Sequence, residues 1–268
     1  MASKLLIDGL VPAVLKRLAP EGRPHTTRHI IALRRAGVRT YNDLIEKLPR
    51  LRKSERGTAV WLLGRVNRRS GVPVLLQVLV DDRVQSIRWD AAVSLSLLGG
   101  QRAIRGLLAL ARDHTNDDDI RAAATHALAM SYEESALDFF VRTFADSAEH
   151  TEVRVQAAEG IAAVLGHCDR RTRRWRRAAD VLLPLLSDQE VEIRFWAVFA
   201  AGSLRVTKAR RRLRALTRDR GRASMGWSVA EEAKDALHCI QHGTWPETDA
   251  FARTRGSDNP ATRRSTSQ

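Results

Sequence analysis

Apolar residues recur along this chain in short stripes of helical spacing, and the same stripe returns at nearly constant intervals. Ile87, Ala91, Leu95 and Leu98 stand at i, i+4, i+8 and i+11, which places them on one face of an α-helix. An arginine follows the first apolar residue of each stripe, and small residues follow one turn later. The copies are Ile87-Arg88 with Ala91-Ala92, Ile120-Arg121 with Ala124, Val153-Arg154 with Ala157-Ala158, and Ile193-Arg194 with Ala197. Successive arginines are 33, 33 and 40 residues apart. Two weaker copies extend the series: Arg56 with Ala59-Val60 and Leu63 before it, and Val229, Ala233 and Leu237 after it. A self-similar period of roughly 20 to 50 residues means stacked units, none of which buries its apolar face alone.

Each period reads as two helices. The first opens near the Val/Ile-Arg pair, and the second ends in an apolar run followed by aspartate, as in Leu79-Val80-Asp81 and Leu185-Leu186-Ser187-Asp188. An aspartate there is expected to accept hydrogen bonds from the free amides at the start of the next first helix, where its charge suits the positive end of the helix dipole. From Asp82 to Arg88 and from Asp188 to Arg194 the spacing is six residues, whereas Asp113 to Arg121 and Asp146 to Arg154 are two residues longer. Longer turns are expected at the latter two.

These residues resemble HEAT repeats, in particular the HEAT-like repeats of the bilin lyase type, over about residues 54 to 242. The resemblance implies an all-α fold: a right-handed α-solenoid of HEAT-like helical hairpins with an N-terminal helical cap. It also implies that Arg88, Arg121, Arg154 and Arg194 form a structural ladder with the aspartates between repeats. The expected organisation is a cap at 1–50, repeats at 51–245, and a disordered tail at 246–268. Within the cap, the stretch from Leu33 to Leu44, with Gly37, Thr40 and Asp43, resembles the element of helix-hairpin-helix modules. Such an element either sits against a nucleic-acid backbone or covers the apolar end of the first repeat.

Composition fits this architecture. Of the residues 44% are hydrophobic but only 5% aromatic, which suits many short helices packed closely through alanine and leucine. Two cysteines, Cys168 and Cys239, make no disulfide framework, and the stretch from Leu5 to Leu18 is interrupted by Asp8, Gly9, Pro12, Lys16 and Arg17. The expectation is a soluble, cytoplasmic protein without a membrane partner.

The net charge of +14 is unevenly distributed. Residues 1–112 carry +13, residues 113–159 carry −8, residues 160–222 carry +10 and the remainder −1. Six of the nine residues 169–177 are arginine, and a second cluster runs from Lys208 to Arg214. Both fall on second helices. Trp175, Ala178, Ala179, Leu182 and Leu186 are expected to face inward, leaving Arg170, Arg173, Arg174 and Arg177 outside. In the next repeat Val206, Ala209, Leu213 and Leu216 face inward, leaving Arg210, Arg211, Arg214 and Arg218 outside. Since second helices of HEAT repeats line the concave surface, these eight guanidiniums are the candidate partner site. They read as a wall for an anionic partner such as nucleic acid, as a solvated basic surface, or as a dock for an acidic protein. The acidic middle of a second copy, at Asp117, Asp118, Asp119, Glu133, Glu134 and Asp138, is one such dock. The basic hairpin around Arg34, Arg35 and Arg39 is the alternative site.

Catalytic motifs are missing from the sequence. None of the eight histidines is followed by the glutamate that HEAT-like di-iron hydroxylases use, and His167-Cys168 and His238-Cys239 lack companions at zinc spacing. Neither a phosphate-binding Gly-x-x-x-x-Gly-Lys loop nor a Gly-x-Ser-x-Gly elbow occurs. Trp89-Asp90 is the pair that a HEAT-like DNA glycosylase reading would use, and nothing marks a bilin lyase chromophore site. The reading is a non-catalytic binding scaffold with no catalytic residue, cofactor or metal assigned.

Overall fold

The computed structural model of the chain describes residues 41–246 apart from 67, 167 and 168. Helices account for every regular element among them, and the one bridge, Arg222 with Ser228, is isolated. First helices are α1 (Lys53–Arg65), α3 (Gln85–Leu98), α5 (Asp118–Met130), α7 (Thr151–Leu165), α9 (Val191–Ser203) and α11 (Val229–His242). Second helices alternate with them: α2 (Val72–Asp81), α4 (Gly100–Arg112), α6 (Leu137–Ala145), α8 (Arg173–Leu185) and α10 (Arg210–Leu216). Both weak copies of the pattern, in α1 and α11, are therefore repeat helices.

Two compact units divide between Ser131 and Tyr132. In the first unit α1, α3 and α5 lie side by side, while α2 and α4 each pack against the first helix that follows. The second unit repeats the scheme with α7, α9 and α11 side by side and α6, α8 and α10 packed against their successors. The small residues make this approach close. Ala91, Ala92, Ala124, Ala157, Ala158 and Ala197 are fully buried, and at Gly64 on α1 a Cβ would come within 2.7 Å of the Ser94 Cα on α3. The Ser94 hydroxyl donates to the Val60 carbonyl at 2.9 Å across the same contact.

The arginine ladder is present, with two departures from the expected partners. Arg56 meets Asp82, Arg154 meets Asp188 at 3.6 Å, and Arg194 meets Asp219 at 2.9 Å. Arg88 pairs with Asp119 in the first turn of α5, while Asp113 accepts from the amide and hydroxyl of Thr115. Arg121 meets Asp118 on its own helix at 3.1 Å. Burial alone would raise the carboxyls of Asp82, Asp119 and Asp219. Hydrogen bonds from the ladder arginines and neighbouring donors outweigh it and hold all three below the ordinary aspartate range.

Turn length decides how far each arginine reaches. Across the six-residue spacing, Arg88 and Arg194 donate to the carbonyls of Asp82 and Asp188, at 2.9 and 2.7 Å. Across the longer spacing, Arg121 and Arg154 donate to Ala111 and Phe144, inside the last turns of α4 and α6, at 3.4 and 3.2 Å. The longer reach draws these two side chains into the core, where they are only 4% and 3% exposed. In both cases the guanidinium satisfies a carbonyl at the end of a second helix that lacks a donor within the helix.

The aspartates act one step earlier than expected. Asp82, Asp113, Asp146, Asp188 and Asp219 each accept from the amide two residues on, at 2.7 to 3.0 Å. These are Asx turns that end the second helix, and they precede the first helix rather than cap it.

Before α1, residues 41–47 are helical and Leu48–Arg50 form a 3-10 turn. Tyr41, Leu44 and Leu48 are buried, and the Tyr41 hydroxyl donates to the carbonyls of Leu63 and Arg68 at 3.2 and 3.0 Å. Burial pushes that hydroxyl up to about 12 despite the opposing pull of Arg68. This segment packs on the first repeat. The rest of the helix-hairpin-helix-like stretch, the basic residues Arg34, Arg35 and Arg39, the pair His167-Cys168 and the C-terminal tail lie outside the described residues.

Candidate functional site

Thr172 starts α8 by accepting the Trp175 amide on its hydroxyl at 3.2 Å, which sets the phase of everything after it. Ala178, Ala179, Leu182 and Leu186 are buried as the stripe requires. Arg173, Arg174, Arg176 and Arg177 are exposed. Trp175 is only half-buried, and its indole N–H is enclosed without an acceptor among the described residues. Arg170 is exposed too, but it sits in the turn ahead of the cap rather than on the helix.

In the next repeat Val206, Ala209, Leu213 and Leu216 are buried, and Arg210, Arg211 and Arg214 project outward from α10. Arg218 is exposed in the turn beyond the helix. Two contacts tie α10 and the turn before it to α8: Lys208 lies 3.5 Å from Asp180, and Arg212 donates to the Leu186 carbonyl at 3.5 Å.

Some of these cations have acids of their own chain beside them. Arg174 lies 3.4 Å from Glu134 and Arg177 3.3 Å from Asp138, so acids before and on α6 face α8 across 40 and 39 residues. All four side chains are more than half exposed, where an ion pair in water contributes at most about 1 kcal/mol. Arg210 donates to the Ile240 carbonyl at 3.4 Å. Arg170, Arg173, Arg176, Arg211, Arg214 and Arg218 have no acidic partner among the described residues. Arg176, absent from the sequence-based set, belongs with Arg173 because three residues along a helix return to the same face.

Beside α8 runs an open groove of about 730 Å³. Arg173, Arg176 and Arg177 line its charged end. Val181, Pro184 and Leu185, with Ala145 from the end of α6, line the rest, and Asp180 lies where the charged and apolar stretches meet. Pro184 stands inside α8 and has no N–H to give the Asp180 carbonyl, its i−4 acceptor.

Other constellations resolve into packing. Trp89 donates its indole N–H to Asp119 at 3.0 Å and tilts against His126 with ring centres 5.3 Å apart, so it belongs to the ladder. Trp227 stacks on Phe195 and Trp245 on Phe199, at 5.5 and 5.7 Å. In the acidic middle, Asp118 and Asp119 serve the ladder, and Glu133 accepts the Ser135 amide. Among the described residues no three His, Cys, Asp or Glu side chains are grouped to hold a metal ion. No helix there is long and apolar enough to cross a membrane.

A family model described as HEAT repeats matches residues 42–129. No curated protein sequence matches the chain. Among solved structures, YibA of Escherichia coli is similar in fold, with a TM-score of 0.50, 13% identity and coverage of 96% of each chain. A chain from the CpcE–CpcF complex of phycocyanin lyase from Nostoc sp. PCC7120 aligns at 21% identity with a TM-score of 0.49, covering 65% of this chain and 99% of that one. Human deoxyhypusine hydroxylase aligns at 17% identity with a TM-score of 0.35, covering 96% of this chain and 92% of its own.

Proposed function

Starting from a chain that is a HEAT-repeat protein, we propose that it is a non-catalytic binding scaffold whose second unit presents the arginines of α8 and α10 to an anionic partner. The observation that carries this reading is the set of guanidiniums without acids: Arg170, Arg173 and Arg176 around α8, and Arg211, Arg214 and Arg218 around α10. Like charges at this density repel one another, and an external anion relieves the repulsion. The planar fork of arginine suits carboxylate or phosphate in two-point contact. Arg174, Arg177 and Arg210 belong to the same face but already have partners within the chain.

The test is binding of two labelled polyanions, poly-glutamate and a mixed-sequence DNA duplex, followed by fluorescence anisotropy across a salt titration. A variant with Arg173, Arg176, Arg211 and Arg214 all changed to glutamate is expected to lose about 100-fold in affinity for whichever polyanion binds, with an unchanged helical circular-dichroism spectrum. Unchanged affinity in that variant overturns the reading and moves the site to the basic segment around Arg34, Arg35 and Arg39.

A further inference from the structure

We propose that the groove beside α8 is a docking site for an extended acidic peptide that carries an apolar side chain next to its carboxylates. This rests on the reading of the second unit as an anion-binding surface and narrows it to one place and one chemistry. Two features of the groove argue for a peptide rather than a nucleic-acid backbone.

The lining changes character along the helix. Arg173, Arg176 and Arg177 line the N-terminal end, and Val181, Pro184 and Leu185 line the C-terminal end. A carboxylate followed by an apolar side chain meets both ends in order. A phosphodiester chain, charged at every unit, gains nothing from the apolar half.

Acids are interleaved with the cations. Asp180 lies within the groove, and Asp138 stands 3.3 Å from Arg177 at its edge. A continuous polyanion brings phosphates against these carboxylates at a Coulombic cost, whereas a peptide spaces its charges to avoid them.

The size of the groove also suits a short segment. At about 730 Å³ the groove falls within the range of roughly 300–1,000 Å³ typical of ligand pockets, enough for a few residues of an extended chain rather than a folded domain.

The experiment compares three fluorescent probes on the full chain: a peptide alternating glutamate and leucine, a poly-glutamate of equal length, and a DNA duplex. The expected result is that the mixed peptide binds at least about ten-fold tighter than poly-glutamate. Arg173→Glu with Arg176→Glu is expected to abolish that preference, as is Val181→Asp, whereas Arg211→Glu with Arg214→Glu, on the anion-binding face but outside the groove, weakens both peptides alike and keeps their ratio. All variants change half-buried or exposed positions, and circular dichroism confirms that each folds. If the α10 variant loses the peptide and the α8 variant keeps it, the groove assignment is wrong while the anion-binding reading stands. If the duplex binds and neither peptide does, the site takes nucleic acid and the peptide proposal fails. Absence of binding by all three probes sinks both readings.

Discussion

Arg154 donates its Nε–H to the main-chain carbonyl of Phe144, 3.2 Å away and ten residues earlier in the chain. The two-residue longer turn at Asp146 carries the guanidinium past the end of α6 and into its last turn. There the side chain is 3% exposed and still reaches Asp188 at 3.6 Å and Glu190 at 3.8 Å. Arg194, on the shorter turn, meets the Asp188 carbonyl at the surface end of the same kind of joint.

This difference predicts unequal costs of truncation. Arg154→Ala leaves the Phe144 carbonyl without its donor and removes the positive charge from beside Asp188 and Glu190, and is expected to lose about 2–4 kcal/mol in urea unfolding. Arg194→Ala is expected to lose less, because its side chain is 14% exposed, more than that of Arg154, and the carbonyls it meets, those of Asp188 and Gln189, lie in a turn rather than inside a helix. Arg154→Lys is expected to recover only a fraction of the loss, since an ammonium cannot reproduce the fork. Equal losses for the two alanine variants would show that depth of reach is not what matters.

Close approach of first helices predicts a contrast between two helical glycines. At Gly64 an added methyl meets the Ser94 backbone at 2.7 Å, and helix α3 must move to admit it. Gly64→Ala is therefore expected to cost about 1–3 kcal/mol. At Gly106 the obstacle is the end of the Leu76 side chain, which can rotate away. Gly106→Ala is expected to be neutral or to stabilise by up to about 1 kcal/mol through helix propensity. Thermal melts of the two variants decide the matter, and a stabilised Gly64→Ala would refute the packing argument.

The ladder also fixes an acid limit. Asp82, Asp119 and Asp219 have folded-state pKa values below the ordinary 3.8, so the folded chain gives up these protons more readily than the unfolded one. Their stabilisation is complete above the unfolded value of about 4 and is lost as pH falls through the folded values. The urea midpoint is expected to be flat from about pH 7 to 5 and to drop below about pH 4. Asp119→Asn, which removes the charge and one of the two acceptor oxygens that serve Arg88, Gln85 and Trp89, is expected to lower the plateau and flatten the acid limb. An acid limb as steep as in the parent chain would assign the effect to other carboxylates.

Repeat number, helix phase and the inward stripes of α8 and α10 are legible in the residues alone, because 3.6-residue periodicity is a local property written into neighbouring positions. So is the contrast between six- and eight-residue spacings from aspartate to arginine. What those extra residues do, drawing Arg121 and Arg154 inward to carbonyls of α4 and α6, depends on where the end of one helix lies beside the start of the next. Arg176 is within reach of a helical wheel and needs only the i, i+3 relation to Arg173.

The arginine clusters themselves are a matter of composition, but their electrical state is not. Arg174 and Arg177 have acids beside them because α6 and α8 lie alongside at a particular register, bringing Glu134 and Asp138 to residues 40 and 39 positions later. Asp119 replaces Asp113 beside Arg88 for the same kind of reason: side chains distant along the chain compete for one guanidinium, and distances set by packing choose between them. Local spacing writes helices and their faces into the chain. Only the stacking of those helices determines which charges on them remain unpaired.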